Sequence, residues 1–188
     1  MQNGDLQALE RLSALFTYPE PGFDGIVRDA ADWAAANEYP DVILFAEAVK
    51  DLSVGQMEEL YIETFDMNPA ATLDIGWHLF GEDYARGELL VKLRSENRRY
   101  GVEERGELPD NLSIVLQLLS KMPEEDAEAF AREYLLPSLR KIREGIKRKD
   151  NPYLNLLTAL LLCLGADPNE APAPVYPELT VLKETHHG

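Results

Sequence analysis

The side chains that could perform chemistry in this sequence are few and scattered. Histidine occurs at three positions, and only His78 lies in a segment with helical character, beside Trp77 and Phe80. A lone histidine among aromatic neighbours is more often structural than catalytic. His186 and His187 lie near the C-terminal end in a segment without a predicted core, so we expect no catalytic role for them.

Other catalytic signatures are also missing. Cys163 is the only cysteine, which excludes an internal disulfide and a thiolate-rich metal site, and its leucine neighbours predict a buried thiol. The sequence has no glycine-rich phosphate loop, no nucleophile elbow and no paired metal-ligand spacing. Carboxylate pairs such as Glu58-Glu59 and Glu103-Glu104 are typical of a solvated face. The pattern indicates a protein that is not an enzyme and holds no metal or cofactor.

The charge of the chain is strongly unbalanced. It carries 34 acidic and 18 basic residues, a formal net charge of −16. Such a surface repels nucleic-acid phosphates and anionic membrane lipids, so we expect no nucleic acid and no membrane as partner. It attracts a basic peptide or protein segment instead. Composition alone leaves a second interpretation open, in which the acidic residues only keep the protein soluble.

Helical periodicity runs through almost the whole sequence. Leucines at three- and four-residue steps from Leu6 to Phe16 form one apolar stripe, and two prolines and a glycine in residues 17–22 end that helix. The same signals predict a short or broken helix in residues 72–81 and longer helices over about residues 24–37, 40–52, 54–67, 83–100, 112–119, 123–149 and 152–164.

Capping residues mark several helix ends. Ser53 and Gln56 have the spacing of a capping box. Asp83 and Asp110 are candidate N-caps, and Gly101 fits the C′ position of the helix before it. The helix after the capping box places Tyr61 and Phe65 on one face, and a separate acidic face is formed by Glu59, Glu63 and Asp66.

Two further helices carry specific expectations. The inner face of the second predicted helix consists of Ile26, Ala30, Trp33 and Ala34. The helix at 123–149 can kink at Pro137. Its last cations, Lys147, Arg148 and Lys149, would complement the helix dipole.

These elements predict an all-α protein built as a single-domain helical bundle. No alternating strand pattern and no internal repeat is present, so we place the helical domain at residues 1–166 and a Pro-rich, extended or mobile tail at 167–188. The longest apolar stretch, residues 156–166, is too short to span a bilayer, and the first residues do not resemble a secretory signal. The expected compartment is the cytoplasm.

Several segments together resemble the NarJ branch of the TorD/DmsD/NarJ family of molybdoenzyme assembly chaperones. The resemblance is carried by LYIETFD at 60–66, HLFGED at 78–83, RG at 86–87 and ELPDNL at 107–112, with LFTYP at 15–19 and NPY at 151–153. It covers about residues 6–164. The order and spacing of the segments are more specific than any one of them.

The resemblance implies a system-specific chaperone of the TorD-like type without chemistry of its own. It would bind the basic N-terminal segment, a twin-arginine leader or its remnant, on the catalytic subunit of a molybdenum-containing oxidoreductase of the nitrate reductase or DMSO reductase type. It would hold that subunit until the molybdenum cofactor is inserted. Molybdenum cofactor biosynthesis proteins could be further partners.

A segment of two arginines and an apolar stretch needs carboxylates beside an aromatic-lined groove. Guanidinium groups pair with carboxylates in a forked geometry, and apolar side chains fill pockets. The candidate peptide-binding residues are Tyr61, Glu63, Phe65, Asp66, Trp77, His78, Phe80, Glu107, Pro109 and Asp110. The aromatic members are equally expected as core residues, because an aromatic stripe at helical spacing is typical of a core.

Two other functions stay open at this point. One is a small helical enzyme or ligand-binding bundle that uses His78 and nearby carboxylates around a metal or cofactor. The other is a regulatory adaptor that binds helices without any role in cofactor insertion.

The sequence departs from the resembled family at one place near the candidate site. Asn111-Leu112-Ser113 stands where many members of the family have a second proline, so the start of the helix predicted over 112–119 is less constrained.

Overall fold

The computed structural model describes residues 3–170, and side chains within that range from residue 6 onward. The helices are α1 (Asn3–Leu15), α2 (Phe23–Asn37), α3 (Pro40–Val49), α4 (Val54–Tyr61), α5 (Ile75–Phe80), α6 (Tyr84–Tyr100), α7 (Leu112–Lys121), α8 (Glu124–Phe130), α9 (Leu136–Gly145) and α10 (Tyr153–Cys163). Two π-helical turns, Ile62–Asp66 and Ala131–Leu135, follow α4 and α8. The described residues contain no strand, only an isolated bridge between Asp74 and Asn111. The predicted all-α, single-domain bundle is confirmed.

The core forms where α1 packs against α7 and where α10 packs against α1, α3 and α9. An aromatic cluster joins α4 to these helices. The ring centroids of Phe65 and Tyr153 lie 4.7 Å apart, and Phe45 and Tyr61 pack against Tyr153 at 5.3 and 6.2 Å. All four side chains are buried, so the cluster fixes the end of α4 on the bundle.

The predicted caps of α4 and α6 are confirmed. The Gln56 amide N–H donates to Ser53 Oγ at 3.3 Å, and the Ser53 N–H donates to Gln56 Oε1 at 2.9 Å. Asp83 Oδ1 accepts from the Ala85 N–H at 2.9 Å. Gly101 ends α6 with a left-handed φ of 63°, which a glycine adopts at no steric cost.

The N-cap of α7 is Asn111, so the interpretation of Asp110 as a cap is wrong. Asn111 Oδ1 accepts from the Ser113 N–H at 2.9 Å. Asp110 Oδ2 accepts instead from the N–H of Gly76, in the first turn of α5, at 3.2 Å. Asp110 therefore joins two elements rather than starting one.

The inner face of α2 was predicted only in part. Ala30 and Ala34 are buried, but Val27 occupies the position expected for Ile26, which is 40% exposed. Trp33 is half-buried at the edge of the core. The exposed Ile26 becomes relevant to the surface beside the site.

The helix predicted over 123–149 is continuous from residue 124 to residue 145, and the π-helical turn Ala131–Leu135 widens it between α8 and α9. α9 ends at Gly145, which lies against the loop before α5. A Cβ at position 145 would lie only 1.9 Å from the carbonyl oxygen of Ala70, and Asn68 Nδ2 donates to the Gly145 carbonyl at 3.1 Å. The basic residues 147–149 follow the helix, so their assignment to its last turn is wrong.

The chain after α10 returns towards α9. Arg143 Nη1 donates to the carbonyl oxygen of Pro168 at 3.0 Å, and Arg140 pairs with Glu170. The predicted tail beyond residue 170, with His186 and His187, lies outside the described residues. Among residues 3–170, no helix is long and apolar enough to cross a membrane.

Candidate functional site

A π-helical turn after α4 determines which side chains meet at the candidate site. The Met67 N–H donates to the carbonyl oxygen of Ile62 at 2.9 Å, five residues earlier. This wider turn changes the phase of the helix, so Asp66 lines the same pocket as Tyr61, and Glu63 lies 3.9 Å from Arg148. The predicted acidic face that joined Glu63 to Asp66 is therefore wrong.

A tight loop brings the second carboxylate to the same place. Arg105 and Gly106 both have left-handed backbones, with φ of 49° and 93°. A left-handed arginine costs about 1 kcal/mol, so the surrounding structure holds this loop in a strained conformation. The Glu107 N–H donates to the Glu104 carbonyl at 2.8 Å, and Asn111 Nδ2 donates to Glu107 Oε2 at 3.3 Å. These contacts hold Glu107 above α7.

The two carboxylates belong to one pocket, which we call the acidic pocket. It is lined by Tyr18, Tyr61, Asp66, Thr72, Leu73, Asp74, Gly106, Glu107, Leu108 and Asn111. Within the part of the chain that the structure describes, no lysine or arginine forms an ion pair with Asp66 or Glu107. Partial burial raises the pKa of Asp66 above its ordinary value. The pKa of Glu107 is raised by partial burial and by the charges of Asp74 and Asp66. The pocket is therefore a site of uncompensated negative charge.

A compensated cluster, which we call the Arg86 cluster, lies directly behind this pocket. Arg86 Nε donates to Asp110 Oδ2 at 3.0 Å, and Arg86 Nη2 donates to Asp74 Oδ2 at 2.9 Å. Asp110 is fully buried, whereas Asp74 reaches both the cluster and the acidic pocket. A Cβ on Gly76 would lie 2.6 Å from Asp110 Oδ2, so only glycine fits there without a shift.

The predicted residues of α5 do not line the acidic pocket. Trp77, His78 and Phe80 are half-buried. His78 Nε2 lies 2.8 Å from the Thr72 carbonyl, to which it donates, and burial lowers the pKa of the imidazole. Lys141 Nζ donates to the His78 carbonyl at 2.5 Å. Through these contacts His78 joins α5 to the preceding loop and to α9.

The remaining predicted residues are buried. Phe65 is in the aromatic cluster, and Pro109 is buried beside Asp110. The Tyr61 hydroxyl donates to the Phe16 carbonyl at 3.4 Å, and burial raises the pKa of that hydroxyl. Tyr61 forms part of the pocket floor, whereas Phe65 supports it from below.

Seven of the ten residues that line the acidic pocket are not among the predicted candidates, and Tyr18 and Asp74 are the two of them that contribute an exposed aromatic ring and a carboxylate. Tyr18 is 39% exposed and packs edge-on against Tyr61, with ring centroids 5.5 Å apart. Tyr18 is not among the predicted candidates because residues 17–22 show a helix-ending pattern and residues 15–19 a family resemblance, neither of which marks a contact. Asp74 was missed because its approach to Glu107 depends on the bridge to Asn111, which no local pattern shows.

Comparisons with a family model and with known proteins all point to proteins associated with nitrate reductase. Residues 28–159 match the family model described as nitrate reductase delta subunit. The nitrate reductase molybdenum cofactor assembly chaperone NarJ of Escherichia coli K12 is 28% identical over 102 residues, which are 54% of this chain and 43% of that relative. The probable nitrate reductase molybdenum cofactor assembly chaperone NarW of the same strain is 26% identical over 168 residues, which are 86% of this chain and 69% of NarW. The match to NarJ thus spans less than half of that protein's length.

Proposed function

The chain belongs to the nitrate reductase delta subunit family, and on that premise we propose that it is an assembly chaperone for a molybdenum-containing oxidoreductase. The two relatives described above are named as assembly chaperones, not as enzymes, which agrees with the absence of a catalytic motif in this sequence. The proposed client is the catalytic subunit of a nitrate reductase or DMSO reductase type enzyme. The proposed place of action is the cytoplasm, where the client would be held for cofactor insertion.

We further propose that the acidic pocket binds the basic N-terminal segment of the client. The observation that carries this proposal is the pair Asp66 and Glu107, which face one pocket without a cation partner among the described residues. An arginine side chain would supply the missing charge and donate forked hydrogen bonds to a carboxylate. Glu63 stays a weaker candidate, because it faces Arg148 outside the pocket.

Peptide binding tests this proposal directly. The probe is a synthetic peptide with two adjacent arginines before an apolar stretch, titrated calorimetrically into the protein at low and high salt. We expect the Asp66→Asn/Glu107→Gln variant to bind about tenfold or more weakly, because each charge-assisted hydrogen bond contributes roughly 1.5 kcal/mol or more. We also expect the native affinity to fall with salt and that of the variant to fall less.

A matched control separates this effect from a general loss of negative charge. Asp51→Asn/Glu125→Gln removes the same charge at two exposed positions that do not line the acidic pocket. Its affinity for the peptide should stay within about twofold of the native value, since distant exposed charges are screened. Equal losses in the two variants would show that the peptide responds only to net charge and not to the pocket.

A cellular measurement separates a chaperone from a regulatory adaptor. In a strain that lacks this protein, a purified nitrate reductase type client should contain little molybdenum, and the native chain should restore it. The Asp66→Asn/Glu107→Gln variant should restore less than the Asp51→Asn/Glu125→Gln control. Full molybdenum content in the deletion strain would favour the adaptor function and contradict the chaperone proposal.

A further inference from the structure

A second cavity opens directly beside the acidic pocket and shares Tyr18, Tyr61 and Glu107 with it. Its other walls are the turn after α1, the start of α2, the first two turns of α7 and Arg105 in the loop before α7. We call this cavity the apolar arm after Pro21 and Ile26, which are exposed in it beside polar residues such as Glu20 and Arg105. The two cavities adjoin at these three residues, Tyr18, Tyr61 and Glu107, and we call them together the groove.

The apolar arm presents hydrophobic surface that the fold does not bury. Tyr18 is 39% and Ile26 is 40% exposed, although Ile26 lies on a helix whose adjacent residue Val27 enters the core. Phe23 and Ile114 are buried below them and form an apolar floor. Apolar surface in a groove beside polar groups is typical of a binding site, because its burial by a ligand is favourable.

We propose that the apolar arm binds the apolar residues of the same client segment whose basic residues occupy the acidic pocket. This inference depends on the proposed function and adds a second recognition element to it. Two features favour this occupant over an unrelated partner. The arm adjoins the acidic pocket at Tyr18 and Tyr61. The carboxylates in its lining, Glu20 and Glu107, outnumber its one cation, Arg105, so it is complementary to a chain that is basic at one end.

The proposal predicts that substitutions can weaken the binding of the apolar residues of the peptide without weakening the binding of its basic residues. Ile26→Gln places a polar side chain of similar length at an exposed helix position, so the fold should be retained. We expect this variant to bind the peptide with two arginines and an apolar stretch about five- to tenfold more weakly. Its affinity should keep the native dependence on salt, because the carboxylates of the acidic pocket are unchanged.

A second peptide, in which serines replace the apolar stretch, completes a double-mutant cycle. The native protein and the Ile26→Gln variant should bind this peptide equally, whereas Asp66→Asn/Glu107→Gln should still weaken it. Leu44→Gln is the control, since Leu44 on α3 is also exposed but does not line the groove. Circular dichroism and the thermal midpoint should be unchanged in both glutamine variants.

The outcomes distinguish this inference from the function it depends on. Native protein that binds neither peptide would overturn both. In a second outcome, binding still depends on Asp66 and Glu107, but Ile26→Gln changes the affinity for both peptides by the same factor or changes neither. This result would overturn only the proposal for the apolar arm. A loss with Leu44→Gln as large as that with Ile26→Gln would do the same, because the effect would then not be specific to this cavity.

Discussion

Two groups of carboxylates lie within one small region of this protein and have opposite surroundings. In the Arg86 cluster, Asp110 is fully buried and paired with a guanidinium. In the acidic pocket, Asp66 and Glu107 are partly exposed, and no described cation pairs with them. Asp110 and Glu107 are only three residues apart, so position in the sequence does not distinguish them. The presence of a cation partner separates a structural acid from a candidate binding acid.

The Arg86 cluster holds the walls of the acidic pocket together. The Ile75 N–H donates to the Asp110 carbonyl at 2.9 Å, and the Leu112 N–H donates to the Leu73 carbonyl at 2.8 Å. These bonds join the loop before α5 to the loop before α7, and Arg86 on α6 joins their carboxylates. Burial raises the pKa of Asp110, and the Arg86 guanidinium opposes that rise. The cluster therefore keeps Asp74 and Glu107 near each other despite their repulsion.

The largest expected effect comes from breaking this cluster. Asp110→Ala should lower the free energy of unfolding by about 3 kcal/mol, because it leaves the partly buried Arg86 with one partner and removes the acceptor of the Gly76 N–H. Urea denaturation followed by circular dichroism measures this change. Asp110 is then predicted to affect peptide binding only through the fold.

A surface ion pair of nearly the same length as the 3.0 Å Arg86–Asp110 pair provides the control for that prediction. Asp24 and Arg28 on α2 also lie 2.9 Å apart, but both side chains are exposed. Asp24→Ala should therefore cost less than about 1 kcal/mol, since exposed pairs are screened and mobile. If the two alanine variants lose equal stability, burial does not distinguish the Arg86 cluster from an ordinary surface pair.

Much of the fold could be predicted from local patterns. Helix starts with a side-chain cap, such as Ser53 and Asp83, were located because the cap is encoded within three residues of the helix. The π-helical turn between α8 and α9 has no such local signal, and neither has the end of α9 at Gly145, which lies against Ala70. Helix ends of this kind depend on contacts between residues distant in sequence, and hydrophobic periodicity does not show these contacts.

Some residues of the acidic pocket could be predicted from the sequence, but the way in which the fold brings them together could not. Asp66 and Glu107 are both among the predicted candidates, and each lies in a segment that resembles a known family. Their convergence depends on a wide turn after α4 and a left-handed Arg105, neither of which a regular helix pattern shows. Asp110 was given a surface role because charged residues are seldom buried without a partner, and its partner, Arg86, is distant in sequence.

A smaller effect, of opposite sign, is expected from the acidic pocket. A carboxyl group whose pKa is higher in the folded than in the unfolded state binds its proton more tightly when folded. Its ionised form therefore lowers stability above the folded-state pKa, and this penalty disappears as pH falls below the unfolded-state pKa. Since the pKa values of Asp66 and Glu107 are both raised, the pair should destabilise the free protein at neutral pH.

The Asp66→Asn/Glu107→Gln variant should consequently unfold at slightly higher urea concentration than the native protein at neutral pH. We expect a gain of about 0.5 kcal/mol, since both groups are largely solvated, and the glutamine oxygen can still accept from Asn111 Nδ2. The gain should vanish below about pH 3, where both carboxyl groups are protonated in the folded and in the unfolded state. If the variant is less stable than the native protein at neutral pH, Asp66 and Glu107 stabilise the fold, as Asp110 does. If the variant is more stable than the native protein but binds the basic peptide more weakly, the Asp66 and Glu107 carboxylates lower the stability of the free protein and serve to bind a partner.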